Sequence, residues 1–161
     1  MTEISMDSAD WLLLDLLQHD ASRSNQALAE AAGMSAATCL RRVKRLVESG
    51  VVRKQVALVD PERLAPLLGH GLTVIAEVSL DRQDADRLDA FELRAAAEDA
   101  VLQCYRVSPG PDFVLILRCR DMPDYLALGR RLFHADANVR NVKAFFSVKT
   151  SKFETAMPLA R

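Results

Sequence analysis

Four cations crowd into five consecutive positions: Arg41, Arg42, Lys44 and Arg45, with Val43 among them. Guanidinium and ammonium groups at this density suit a polyanion. Each phosphate they neutralise releases condensed counterions, the term that supplies most non-specific DNA affinity. Between residues 35 and 54, six basic residues (these four with Arg53 and Lys54) stand against one acidic residue, Glu48, a local net of +5. The whole chain carries −1, so the positive charge is concentrated rather than general.

Some element must hold these groups in one direction. Residues 24–50, SNQALAEAAGMSAATCLRRVKRLVESG, read as two short helices around a tight turn at Gly33-Met34. Ser24 and Ser35 each precede an apolar-periodic run and can accept from first-turn backbone donors, so both are predicted N-caps. Gly33 stands where the first helix must stop and a left-handed residue is needed. Leu28, Ala29 and Ala32 form the inward side of that helix. At about 100° per residue along the second helix, Cys39, Leu40, Val43, Leu46 and Val47 fall in one sector. Thr38, Arg41, Arg42, Lys44 and Arg45 fall opposite.

The start of the second helix is compact, so it can approach base edges. This is the layout of a helix-turn-helix, whose second helix lies in the DNA major groove. The predicted contacts to double-stranded DNA are Ser35, Ala36, Ala37, Thr38, Arg41, Arg42, Lys44, Arg45, Arg53 and Lys54. The competing reading is an amphipathic helix whose basic face is merely solvated.

Composition bounds the alternatives. At 161 residues, half of them hydrophobic, the chain can hold two small cores. No apolar run approaches the roughly 20 residues of a membrane span. Glu3, Asp7 and Asp10 leave no basic region for a signal peptide, so a cytoplasmic location is expected. Cys39, Cys104 and Cys119 are an odd set within apolar patterns, which fits reduced, packed thiols. His19, His70 and His134 are far apart and lack partners at metal-ligand spacing, so neither a metal nor a catalytic triad is expected.

Ahead of the turn motif, residues 7–19 read as a helix capped by Asp7, with Leu13, Leu14 and Leu17 inward. Behind it, residues 51–59, VVRKQVALV, read as a strand, which makes the motif winged. Residues 60–71 hold two prolines and two glycines in twelve positions. They are the expected boundary, so the predicted domains are 1–60, a linker 61–71, and 72–161.

The second part reads as strand, helix, strand, strand, helix, strand. The strands are predicted over 72–80, 101–108, 113–120 and 139–149, and the helices over 84–99 and 124–135. Leu72, Val74, Ala76, Val78 and Leu80 share a face; Leu88, Phe91 and Ala95 point inward, as do Tyr125, Leu128, Gly129 and Leu132. This order predicts an α+β chain, a winged helix-turn-helix joined to a ferredoxin-like βαββαβ domain. Strand 113–120 is apolar on both faces: Phe113, Leu115 and Leu117 on one, Val114 and Ile116 on the other. Helices cover one face, so the other needs a second cover, and another copy of the chain is the simplest source.

These segments together resemble the Lrp/AsnC family of regulators. The resemblance is carried by MDSADWLLLDLLQHDAS, by SNQALAEAAGMSAATCLRRVKRLVESGVV, by VSPGPDF with CRDMPDY behind it, and by SVKTSKFETAMPL. It implies a DNA-binding amino-terminal domain and a carboxy-terminal domain that dimerises sheet to sheet, with dimers assembling further into tetramers or octamers. It also implies an amino acid or related metabolite bound near the turn joining the second and third strands. That turn departs from the family's common pattern, because Gly110 is displaced by one position and flanked by Pro109 and Pro111. Trp11, Leu12 and Leu16 are apolar where family members are often polar, and suit cover by a neighbouring domain or subunit.

The expected effector site is Ser108, Pro109, Gly110, Pro111, Asp112 and Phe113, with Ala144 and Phe146 as side walls. Turn amides can hold a carboxylate and Asp112 can pair with an ammonium. The alternative is a rigid hairpin turn capped by Asp112. No cofactor beyond such an effector is expected. Two other functions share the scaffold: a siroheme-decarboxylase-like enzyme, which would need clustered histidines, and a co-regulator that oligomerises without binding DNA.

Overall fold

The computed structural model describes residues 5–159. The chain divides into two compact units, one formed by residues up to 59 with those from 152 onward, the other by Asp60–Ser151.

The first unit is built on α1 (Ser8–His19), α2 (Asn25–Ala31) and α3 (Ala36–Glu48). Each start is capped by the residue whose side chain oxygen can reach a free amide. Asp7 accepts from Asp10 N at 3.0 Å, Ser24 from Ala27 N at 3.2 Å, and Ser35 from Thr38 N at 3.2 Å. Asp10 closes a capping box by accepting in turn from Asp7 N at 3.1 Å. Gly33 has φ +65, the left-handed value its turn requires. Leu13, Leu28, Ala29, Cys39 and Leu46 are buried together, with Leu14, Leu16, Leu17 and Val43 packed around them.

Two expectations fail in this unit. Leu40 and Val47 are 59% and 47% exposed, so the inward sector of α3 is narrower than its apolar sector. The α1 and α2 helices cover only the side centred on Cys39, Val43 and Leu46. Residues 51–59 form no strand. A strand needs a partner ladder, and among the described residues none lies beside this segment; Val56, Leu58 and Val59 stay exposed. The expected wing therefore does not form among the described residues.

The stretch 152–159 belongs to this unit, and one paired contact ties it to α1. The Gln18 carboxamide donates from Nε2 to Met157 O at 2.8 Å and accepts from Met157 N at 2.9 Å. A side-chain amide thus pairs with a backbone amide as a neighbouring strand would.

The second unit opens with α4 (Pro61–Leu68), where the sequence reading placed a linker. Asp60 caps it, Pro61 occupies the first turn, where no N–H is needed, and Gly69 ends it at φ +80. Pro66 removes one internal hydrogen bond but does not break so short a helix. Then follow β1 (Leu72–Leu80), α5 (Ala85–Ala97), β2 (Val101–Arg106), β3 (Phe113–Cys119), α6 (Met122–Gly129) and β4 (Val139–Phe146). A π-helical turn, Arg130–His134, extends α6, so the expected uninterrupted helix widens there. Leu132 and Phe133 are both buried in consequence.

The sheet order is β2-β3-β1-β4, all antiparallel, the ferredoxin-like arrangement. Val74, Ala76, Val78 and Leu80 alternate into the core beside Phe113, Leu115 and Leu117. Phe91 of α5 and Phe113 meet with ring centroids 4.7 Å apart.

Candidate functional site

The α3 helix is the element that presents charge. Its first turn is held in two ways: Ser35 caps it and also donates to Thr38 Oγ1 at 2.9 Å, and Asn25 Nδ2 donates to Ala36 O at 2.9 Å. The second bond locks the start of α2 to the start of α3, which sets the angle of the helix-turn-helix. Ala36 and Ala37 are exposed beside it.

The cations divide into four groups. Arg41 is exposed and has no ion pair among the described residues. Lys44 is exposed and meets only Glu48, one turn on, at 3.6 Å. Arg42 and Arg45 depart from the expected free stripe. Arg42 Nη1 donates to Asp7 Oδ1 and Asp10 Oδ1, both at 2.8 Å, and its side chain is 23% exposed. Arg45 Nη2 donates to Asp10 Oδ2, while half of its side chain remains exposed. Arg42 is therefore a structural cation turned back to α1, because at 40° from Thr38 it borders the buried sector where Asp10 waits. Arg53 and Lys54 are exposed on an extended segment, without the hairpin that was expected to fix them.

Asp10, which sequence reasoning passed over, is 1% exposed. Burial pushes its carboxyl up, but the Asp7 amide and the Arg45 and Arg42 guanidinium groups outweigh burial and hold it at about 2. The Asp10 and Asp7 carboxylates push the Arg42 guanidinium up in turn. The signal was readable: Asp7 and Asp10 stand at capping-box spacing. Asn25, also missed, carries no comparable signal because its acceptor is a backbone carbonyl of another helix.

The turn after β2 is tightly tied. Asp112 Oδ2 accepts from Leu80 N at 2.6 Å, Asp112 N donates to Val78 O at 2.9 Å, and Val107 N donates to Asp112 O at 3.0 Å. Ser108-Pro109 is cis, and Gly110 has φ +124, a value that favours glycine. Pro109 and Pro111 lack an N–H and the Asp112 amide is spent, so few turn amides remain for an anion. Phe113 is fully buried toward the helices and is a core residue rather than a ligand wall.

Ala144 and Phe146 do not join the turn within one chain. They pair with Ala76 and Val74, whereas the turn is bonded at Val78 and Leu80. Val74, opposite Phe146, is four residues from Val78, about 13 Å along a strand; Ala76, opposite Ala144, is two residues away, about 7 Å, and Ala144 packs against the core. Phe146 instead packs edge-on against Tyr125 at 5.2 Å. An open hollow of about 430 Å³ lies at the start of β4, lined among others by His134, Asp136, Arg140 and Asn141. Among the described residues, no three His, Cys, Asp or Glu side chains gather as a metal site would require. Cys39 and Cys119 are free and buried, and Cys104 is free and half-buried. No helix of the described residues is long and apolar enough to cross a membrane.

Comparison with known proteins agrees with both halves. Residues 6–47 match the AsnC-type helix-turn-helix domain and residues 73–157 the Lrp/AsnC ligand binding domain. An HTH-type transcriptional regulator of Haemophilus influenzae is 34% identical over 155 residues, covering 96% of this chain and 90% of its own. The glutamate uptake regulatory protein of Zymomonas mobilis is 32% identical, covering 96% and 91%. Among solved structures, a transcriptional regulator of Neisseria meningitidis in complex with L-methionine superposes with a TM-score of 0.83 at 28% identity, over 96% of this chain and 97% of that one.

Proposed function

This chain belongs to the Lrp/AsnC family and is a DNA-binding helix-turn-helix transcription regulator; from that premise we propose that it answers to an amino acid or related small metabolite, and how it reads DNA, assembles and senses. The observation that carries the DNA reading is the capped, Asn25-locked α3 with Arg41 free and exposed on its outer face. Thr38, Arg41 and Arg45 form the groove-facing stripe at i, i+3 and i+7, and Lys44 lies at its edge. Arg is suited to bidentate contact with guanine, and one good contact discriminates by about 1–3 kcal/mol. Arg41→Ala relaxes specificity at one base pair. Lys44→Ala weakens binding to all sequences and flattens the salt dependence by roughly one unit. The test is a gel shift and salt titration on DNA from upstream of the protein's own gene; unchanged operator affinity in both Arg41→Ala and Arg45→Ala removes α3 as the reader.

The protein works as a cytoplasmic homodimer without catalytic activity, and dimers join into a larger assembly. The support is the open face of the sheet, where Phe145, Ile75 and Ile116 lie in register across β4, β1 and β3. Ile75 and Phe145 are 40% and 51% exposed there.

A small amino acid binds beside residues 108–112. One named relative is a glutamate uptake regulatory protein and a solved neighbour is a complex with L-methionine. In this chain, Asp112 keeps one carboxylate oxygen free of Leu80 and can meet an ammonium. Calorimetry with the common amino acids tests it, on wild type and Asp112→Asn, which retains an acceptor for Leu80. Binding of none, or binding indifferent to Asp112→Asn, leaves a constitutive regulator.

A further inference from the structure

We propose that Asp10 is a positioning residue for DNA binding: it holds the Arg45 guanidinium in place on the outer stripe of α3, ready for a backbone phosphate. The inference rests on the DNA-binding reading above and adds a component that lies outside the recognition helix.

The geometry is that of a buttress. Asp10 is buried and is itself fixed by three donors, Asp7 N, Arg42 Nη1 and Arg45 Nη2. Arg42 fills the inner side of the carboxylate and is largely covered, so it is the structural half of the pair. Arg45 uses a single nitrogen on Asp10 and is half exposed. A guanidinium carries five N–H donors in a rigid fork, and the rest of the Arg45 fork has no partner among the described residues. Arg45 also stands one turn beyond Arg41 on the stripe that begins at Thr38. A long side chain free in solution must lose its rotamer freedom when it meets a phosphate. Here that freedom is already lost on folding, before DNA arrives, which is how a preorganised contact gains affinity.

Charge alone makes the opposite forecast. Asp10 is an anion close to the DNA-facing side, so its neutralisation should favour a polyanion. The sign of the effect therefore separates positioning from bulk electrostatics.

The experiment is fluorescence anisotropy with a labelled duplex from upstream of the gene and a scrambled duplex of equal length. The proteins are wild type, Asp10→Asn, Arg45→Lys, Arg45→Ala and the Asp10→Asn/Arg45→Ala double variant, each checked for folding by circular dichroism. Asp10→Asn is expected to weaken both duplexes roughly tenfold, the size of one charge-assisted hydrogen bond. Arg45→Lys, which keeps the charge but loses the fork, is expected to weaken them similarly. Arg45→Ala is expected to lower the salt dependence by about one unit and to add little in the Asp10→Asn background. Equal or tighter binding by Asp10→Asn overturns the proposal, as does wild-type affinity in Arg45→Lys. If Asp10→Asn does not fold, Arg45→Lys alone decides, since Arg45 is half exposed. Failure of wild type to bind either duplex removes the DNA reading together with this proposal, and is distinguishable from the other outcomes.

Discussion

The backbone amide of Leu80, the last residue of β1, donates to the carboxylate of Asp112 at 2.6 Å. The bond joins residues 32 positions apart and pins the turn between β2 and β3 to the end of a central strand. Asp112→Ala would leave that part-buried N–H without an acceptor, an expected loss of about 1–3 kcal/mol. Asp112→Asn keeps an acceptor and should lose clearly less. Urea unfolding of the three proteins measures the difference; an Ala variant as stable as wild type would show the tie to be incidental.

Acid stability should report on Asp10. Its carboxyl is held at about 2, below the ordinary 3.8, so the folded state binds its proton more weakly than the unfolded chain does. The stabilisation is fully present above about pH 4 and is lost as pH falls toward 2, and it amounts to about 2 kcal/mol. In Asp10→Asn this part of the pH dependence should vanish. Unfolding free energies between pH 2 and pH 5 test it, and an unchanged slope in the variant would contradict the assignment.

A charge on the open sheet face should separate the subunits. Ile116 lies opposite Ile75, which in turn lies opposite Phe145, so Ile116→Glu is expected to give monomers in sedimentation. Paired reading helices sit one DNA turn or a multiple apart, about 34–36 Å per turn, so the variant should also lose specific binding to an imperfect palindrome. An intact dimer would move the interface elsewhere.

Release of the Gln18 clasp should be visible to a protease. Gln18→Ala removes both bonds to Met157 and should speed tryptic cleavage after Lys152, with α1 helicity unchanged. Cleavage at the wild-type rate would mean that other contacts hold residues 152–159.

Local chemistry determined much of this protein directly. Ser24, Ser35 and Asp7 announced three helix starts because a cap needs only its own first turn. The alternation from Leu72 to Leu80 and the order of elements behind it were enough for a ferredoxin-like sheet, since period-two burial leaves few pairings. The basic run 41–45 pointed to DNA once the capped helix before it, the turn at Gly33 and the compact start of α3 stood beside it.

Tertiary structure decided what depends on distant partners. Helical angle put Arg42 and Arg45 on the outer face, but a carboxylate about 35 residues upstream draws Arg42 in toward α1 and holds one nitrogen of the half-exposed Arg45. Leu40 and Val47 looked inward by helical angle, yet two short helices cannot cover that much of α3. Residues 51–59 have strand propensity but no neighbour to form a ladder, and prolines hid α4 because Pro61 falls where a helix tolerates it. Ala144 and Phe146 were grouped with the turn by type, and strand register places Phe146 about 13 Å from it along the sheet and Ala144 about 7 Å. Periodicity assigns a face; only the pairing of strands and helices says what meets it.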